Sequence, residues 1–240
     1  MGGRVSERAT RVAVAFARAA MLPTGGWCSA CVELLEVSGA GITVLNGDRS
    51  GPLCVSDRRM AALEDLQYTT GEGPCRDAFE LRQPVFVEQL DEGASTRWPA
   101  FIDLAVTAGI GSVFAYPLST NGATVGVLTL YQDERGPLNT EQHADSLVVA
   151  EVLTQTVLSL DASSANGLGG SLDDAVAYRA QIHQASGMVA VQLGVPTWDA
   201  LARIRAHAFA SGVPITVVAA DVVGRRLRFN DHVEEIGDES

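Results

Sequence analysis

The chain contains no lysine: all 17 of its basic side chains are arginine. Arginine suits planar, bidentate contacts to phosphate or guanine, and a GC-rich coding bias accounts for the same absence. Cysteine is scarce. Cys28, Cys31, Cys54 and Cys75 are the only four in 240 residues, too few for a disulfide framework at this length. No apolar run reaches the roughly 18 to 20 residues that span a bilayer. The first twenty residues carry an arginine every few positions and no compact apolar block, unlike a secretory signal, so a cytoplasmic location is expected, with no membrane partner. Also missing are paired catalytic carboxylates, a Ser/His/Asp constellation, a P-loop and a dinucleotide fingerprint. Neither catalysis nor a cofactor is expected.

What is present is a folding composition, 47% hydrophobic and 19% charged, with a net charge of −12. Such a balance argues against nonspecific nucleic-acid binding by the whole chain. The charge is unevenly spread. Residues 1–170 hold 11 Arg against 20 acids, or −9. Residues 171–229 hold 6 Arg against 4 acids, or +2, and residues 230–240 hold 5 acids and no base. The one basic segment lies near the C-terminus.

Helical spacing runs through "RVSERATRVAVAFARAA" and "CSACVELLEVSG". "AGITVLNGDRSGPLCVSD" reads as a hairpin around Asn-Gly-Asp, and "DRRMAALEDLQY" as a helix capped by Asp57. A glycine-punctuated loop then leads to a short helix starting near Pro74. "PVFVEQL" predicts a strand, "WPAFIDLAVTAG" a helix closed by Gly109, and "GSVFAYPLSTNGATVGVLTLYQD" a second hairpin. A helix of about twenty residues with a broad apolar face follows. This order of helices and hairpins, without βαβ repeats, predicts an α+β domain with one meandering sheet. Residues 161–171, "DASSANGLGGS", have linker composition. Three helices are predicted after it, over about 172–193, 197–211 and 214–229, with Thr197 as a candidate N-cap.

"GGWCSACVELL" poses a redox question. A thioredoxin-type Cys-x-x-Cys sits between a buried strand and a helix, whose dipole lowers the first thiol's pKa. Here a helix and a turn precede it. Zinc would need two further ligands, and Cys54 and Cys75 are isolated, with no close His. Ordinary small core residues are the expectation, with a redox-sensitive pair as the alternative.

In the basic segment, "IHQASGM", "DALARIRAHA" and "VVAADVV" fall on successive predicted helices. On these motifs residues 181–229 resemble an ANTAR domain, the three-helix RNA-binding module of bacterial antiterminators. Upstream, "AGITVL", "GEGPC", "QPVFVEQL" and the second hairpin before a long helix resemble a GAF sensor domain. Together the halves resemble an actinobacterial GAF–ANTAR regulator. The implied organisation is a GAF-like antiparallel sheet flanked by helices over 1–160, a linker over 161–171, an ANTAR domain over 172–230 and an acidic tail over 231–240. The resemblance implies a homodimer that holds two adjacent RNA hairpins of a leader transcript through their loops, so that an intrinsic terminator cannot form. It also implies an effector, unidentified, in a pocket walled by Gly71, Cys75, Phe114 and Tyr116. Many ANTAR domains have Lys where Ser186 stands. Cyclic-nucleotide-binding GAF domains carry an Asn-Lys signature that a lysine-free chain lacks.

The helix geometry can be read separately. Tyr178, Ile182, Ala185 and Val189 form one apolar stripe, and Arg179, His183 and Ser186 a polar stripe beside it. On the second helix Leu201, Ile204 and Ala208 face the core, while Arg203 and His207 share a polar face. The expected RNA-binding set is Arg179, His183, Gln184, Ala185, Ser186, Gly187, Arg203, Arg205 and Arg226. For Arg226 the alternative is favourable charge at a helix C-terminus; for Ala185 and Gly187 it is close helix packing. Trp198 is expected to be a packing aromatic, with base stacking as the alternative, and His143 and His232 to be solvated. The competing functions are a sensor with a DNA-binding helical domain and a cysteine-dependent redox protein.

Overall fold

The computed structural model describes residues 2–19, 26–45, 51–90, 97–120, 122–164 and 170–230. It divides into two compact units, Met1–Ala177 and Tyr178–Ser240.

The first unit is built on five antiparallel strands: β1 (Gly39–Val44), β2 (Gly51–Val55), β3 (Val85–Val87), β4 (Ser112–Thr120) and β5 (Ala123–Gln132). Their order is β2-β1-β5-β4-β3. The two expected hairpins form, but they are joined edge to edge through β1 and β5, so the sheet is not a simple meander. The six-residue register from Gly39↔Tyr131 to Val44↔Gly126 closes it. Gly126 is required there, because a Cβ would lie 2.4 Å from the Thr43 carbonyl oxygen.

The helices of this unit are α1 (Gly2–Ala19), α2 (Trp27–Leu35), α3 (Arg58–Thr70), α4 (Pro74–Leu81), α5 (Pro99–Thr107) and α6 (Thr140–Ser164). Side chains alternate across the sheet with period two. Ala40, Ile42, Phe114, Tyr116, Leu128 and Leu130 pack on one face with Cys28, Cys31 and Leu35 of α2 and Val149, Leu153 and Val157 of α6. On the other face Val113 and Tyr131 pack with Met60, Leu63, Phe101 and Ile102. Ala115 and Val127, on that same face, meet Cys75 and Ala78. The sheet is thus buried on both sides, which is why its strands read as apolar runs.

Local sequence rules account for the helix ends. Asp57 caps α3, its carboxylate accepting from the Arg59 and Met60 amides at 2.8 and 3.0 Å. Gly71 ends α3 in the left-handed region at φ 74°. The α1 helix is held to α6 by Arg8 and Arg11, which both pair with the buried carboxylate of Asp145.

The second unit holds most of α7 (Gly170–Leu193), then α8 (Thr197–Ser211) and α9 (Ile215–Val223). Its core is Ile182, Ala185, Val189, Ala200, Ile204, Ala208, Ile215, Val218, Ala219 and Val222, each at most 2% exposed. Three boundaries differ from expectation. Helix α6 runs to Ser164 and α7 begins at Gly170, so both ends of the 161–171 segment are helical. Thr197 is the first helical residue of α8 rather than its cap; Pro196 holds the N-cap position in extended backbone with no side-chain cap. Helix α9 stops at Val223 instead of continuing to 229. There the Gly224 amide returns to the Ala220 carbonyl, and Arg225 turns into the left-handed region at φ 58°.

Candidate functional site

Helix α7 presents two adjacent residues with opposite fates. Ser186 is 1% exposed, and its hydroxyl donates to the Ile182 carbonyl at 2.8 Å. Next to it Gly187 is half-buried, and a Cβ built there meets nothing within 4 Å. The small size of Gly187 is therefore not used in packing among the described residues. Ala185 is fully buried, on the stripe of Ile182 and Val189. The placement of Ala185 and Ser186 in an RNA contact set is corrected: both belong to the core, because position 186 follows 182 and 189 onto the buried side. His183 and Gln184 are exposed. Arg179 lies on the backbone of α7, and its side chain falls outside the described residues.

On α8, Arg203 is exposed, with Asp199 3.8 Å away, and Arg205 is half-buried. Trp198 is 74% exposed, so the expectation that it packs is overturned. Beyond α9 the chain folds back on its own unit. The Phe229 amide donates to Gln192 Oε1 at 2.9 Å, and the Phe229 ring meets His207 edge-on at 5.4 Å. Arg226 donates to Asp221 at 2.7 Å and to the Ala220 carbonyl at 3.4 Å. That places its charge on the C-terminal end of α9, the capping role set out as its alternative. Residues 178–230 carry six arginines against Asp199 and Asp221, a net +4. Helix α9 buries Ile215, Val218, Ala219 and Val222, and the rest of it holds no arginine, asparagine or glutamine of the kind that reads base edges.

In the first unit the expected effector residues do not converge. Phe114 and Tyr116 face α2 and α6, whereas Cys75 faces the opposite side of the sheet, and Gly71 is the C-cap of α3. Adjacent strand positions point to opposite faces, so a pocket that combines these four is corrected. Tyr116 instead shares a hydrogen bond with His143 Nδ1 at 3.0 Å, and Phe86 meets the same imidazole at 5.4 Å. His143 is half-buried rather than solvated; His232 lies outside the described residues. Burial pushes the Tyr116 phenol up to about 12.

The polar groups missed by sequence reasoning lie on the α3 side. Thr43 donates to Glu64 Oε2 at 2.8 Å, and Gln67 Oε1 accepts the Cys75 amide at 2.7 Å. Thr129, between Gly41 and Ala115 in the sheet, is fully buried. Gln67 Nε2 and Thr129 Oγ1 have no hydrogen-bond partner among the described residues. The available signal is spacing: Met60, Leu63, Glu64 and Gln67 share one face of α3, so two polar residues sit on an apolar stripe.

The cysteines also depart from expectation. Cys28 is joined to Cys54, a disulfide between α2 and β2 with Cα atoms 5.9 Å apart, and so neither is an ordinary core thiol. Cys31 is free and fully buried, and burial pushes its thiol up to about 12, the reverse of an activated thiolate. No group of described residues has metal-ligand geometry, and no described helix is long and apolar enough to cross a membrane.

Comparison with known proteins agrees with this architecture. A GAF domain model matches residues 27–156, and an ANTAR domain model matches 171–223. The fold is similar to the GAF domain of an Acinetobacter phosphoenolpyruvate-protein phosphotransferase, at 10% identity and TM-score 0.52, over 69% of this chain and 99% of that one. It is also similar to the GAF domain of a Coxiella burnetii phosphoenolpyruvate-protein phosphotransferase, at 13% identity, TM-score 0.48, and 67% and 96% coverage. A free methionine-R-sulfoxide reductase from Neisseria meningitidis aligns at 15% identity, TM-score 0.42, and 63% and 84% coverage. Among curated protein sequences, none matches the chain. Both matched domains are regulatory, the GAF domain sensory and the ANTAR domain a module of RNA-binding antiterminator regulation. The chain belongs to the GAF domain family and carries an ANTAR domain behind it, the organisation of a GAF–ANTAR regulator.

Proposed function

We propose that the chain is a dimeric antiterminator that grips two adjacent RNA hairpins of a leader transcript by their loops, under control of its GAF unit. The observation that carries this reading is Gly187. Its side is open, its neighbours His183 and Gln184 are exposed, and no described residue needs it to be glycine for packing. In the middle of a helix glycine costs roughly 0.5 to 1 kcal/mol relative to alanine. A position that carries that cost without a packing return is one where a ligand's backbone or base comes close. The net +4 over 178–230 supplies attraction for a polyanion. The contact set is Arg179, His183, Gln184, Gly187, Arg203 and Arg205.

In the GAF unit, buried Gln67 Nε2 and Thr129 Oγ1 on the α3 side of the sheet are where a small polar effector would be read. Unpaired polar groups in an interior are costly unless water or a ligand satisfies them. The deciding experiment is a binding titration with a two-hairpin RNA, a loop-scrambled RNA and a duplex DNA. Preference for intact loops supports the antiterminator reading. Preference for the duplex favours a DNA-binding regulator, and indifference to all three ends both.

A further inference from the structure

Helix α8 carries two exposed aromatic side chains, Trp198 and Phe209, that stand outside its core. At 100° per residue, Trp198, Ala202, Arg205 and Phe209 stand at i, i+4, i+7 and i+11, within a narrow stripe. Trp198 is 74% exposed and Phe209 52% exposed; Ala202 between them is exposed and Arg205 half-buried. With a rise of 1.5 Å per residue the line is about 16 Å long. The core of the same helix, Ala200, Ile204 and Ala208, lies on a different side. Two large aromatic rings in water are a cost unless something covers them.

Charge decides between occupants. The stripe belongs to a segment of net +4, and the one acid of α8, Asp199, has Arg203 beside it at 3.8 Å. A polyanion with flat, apolar faces satisfies both features. We propose that Trp198 and Phe209 form a stacking platform for unpaired RNA bases. This rests on the RNA-binding reading above and specifies how the loops are held. Bases splayed from a hairpin loop stack on indole and phenyl planes, and such stacking tolerates several sequences because every base has a π-face.

Trp198 reports on its own occupancy. The other two tryptophans, Trp27 and Trp98, are 6% exposed each. In the full chain, titration with a two-hairpin RNA is expected to quench tryptophan emission, while the same RNA with abasic loops leaves it unchanged. Trp198→Phe is expected to abolish the quenching and retain most of the affinity. Trp198→Ala and Phe209→Ala are each expected to weaken binding about tenfold or more. Because both side chains are exposed, thermal unfolding should match the parent protein, which separates lost contact from lost fold. If the parent protein binds looped RNA and both alanine variants bind it within about twofold of parent, the platform is refuted while the RNA reading stands. Failure of the parent to bind any hairpin RNA refutes both. Dissociation of a dimer by Trp198→Ala, seen by light scattering, would assign the stripe to self-association and also overturn the proposal.

Discussion

Cys28 and Cys54 join α2 to β2 across the α2–α6 side of the sheet, while Cys31, one helical turn from Cys28, keeps a free, buried thiol. The Cys-x-x-Cys spacing therefore does not mark the bonded pair. The bond closes a loop with a sequence separation of 26. Closing a loop of that length removes denatured-state entropy worth roughly 3 kcal/mol at room temperature. Reduction, or Cys28→Ser with Cys54→Ser, is expected to lower unfolding stability by about that much. Cys31→Ala should change it far less. Alkylation followed by peptide mass mapping checks the pairing: Cys31 and Cys75 should label after unfolding without reductant, and Cys28 and Cys54 only with it. Labelling of Cys54 without reductant would refute the bond.

Asp57 is more than a helix cap. Its carboxylate also accepts from Ser56 at 2.5 Å and from the Tyr131 hydroxyl at 3.1 Å. Partial burial works to raise its pKa, but these hydrogen bonds and the two helix amides outweigh it and hold the group below its ordinary 3.8. A depressed folded-state pKa gives stability that is present above the unfolded value and lost as pH falls through the folded value. Asp57→Ala is expected to cost about 1 kcal/mol or more at neutral pH. The stability gap between parent and Asp57→Asn should close as pH drops below about 4. Denaturant unfolding across pH 3–7 checks it; a gap independent of pH would show that Asp57 is not ionised in the way its contacts require.

Tyr131 also explains a glycine. A Cβ at Gly39 would lie 2.1 Å from Tyr131 Cε1 and 2.7 Å from Asp57 Oδ2. Tyr131 is fully buried and hydrogen-bonded, so it cannot move aside cheaply. Gly39→Ala is expected to destabilise the GAF unit by about 1 to 3 kcal/mol, the usual cost of overpacking. A thermal melt within a degree or so of the parent would contradict this.

Which features were legible follows from how local their causes are. The Asp57 cap, the Pro74 helix start and the two hairpins depend on a few neighbouring residues, and each stands where spacing placed it. The ANTAR motif is legible because Ala185, Gly187, Ala200, Ala208 and Ala219 recur over three helices, and the GAF motif because its strand, loop and hairpin segments follow in order. The failures need tertiary knowledge. The Cys28–Cys54 partnership depends on α2 lying over β2, which no spacing reveals. The effector pocket implied by the resemblance joins Phe114 and Tyr116 to Cys75, and the motifs alone do not reveal that these face opposite sides of the sheet. Ser186 reads as part of a polar stripe by its chemistry; a hydroxyl can instead donate to the carbonyl one turn back and so enter a core at small cost. A packing role for Trp198, expected from its place at the start of α8, fails because its side chain stands 74% exposed.

Helix α6 is the expected surface for self-association. Val149, Leu153 and Val157 are spent on the sheet, yet Leu147 is 45% exposed and Val14 of α1 46% exposed. Val148 and Val152 are only half-buried. We expect a homodimer through this helical side of the GAF unit, with Leu147→Glu shifting it toward monomer in light scattering at micromolar concentration. A monomeric parent protein under those conditions would end this reading.

Ser186 and Gly187 allow the RNA face to be separated from the core in one experiment. Ser186 is buried, so Ser186→Lys would place an ammonium group in an apolar interior. That is expected to destabilise the ANTAR unit by several kcal/mol, on the order of the penalty for an unpaired buried charge, and not to strengthen binding. Gly187 has open space on its side, so Gly187→Ala should raise helix stability by up to about 1 kcal/mol. If Gly187 is kept small for the approach of RNA, the same methyl group must weaken hairpin binding while the melting temperature rises. Opposite movement of stability and affinity cannot come from a packing role, since a packed glycine would lose both. Measuring unfolding and hairpin affinity on Gly187→Ala therefore tests the site directly: a stabilised variant that binds as tightly as the parent protein would remove Gly187 from the RNA face.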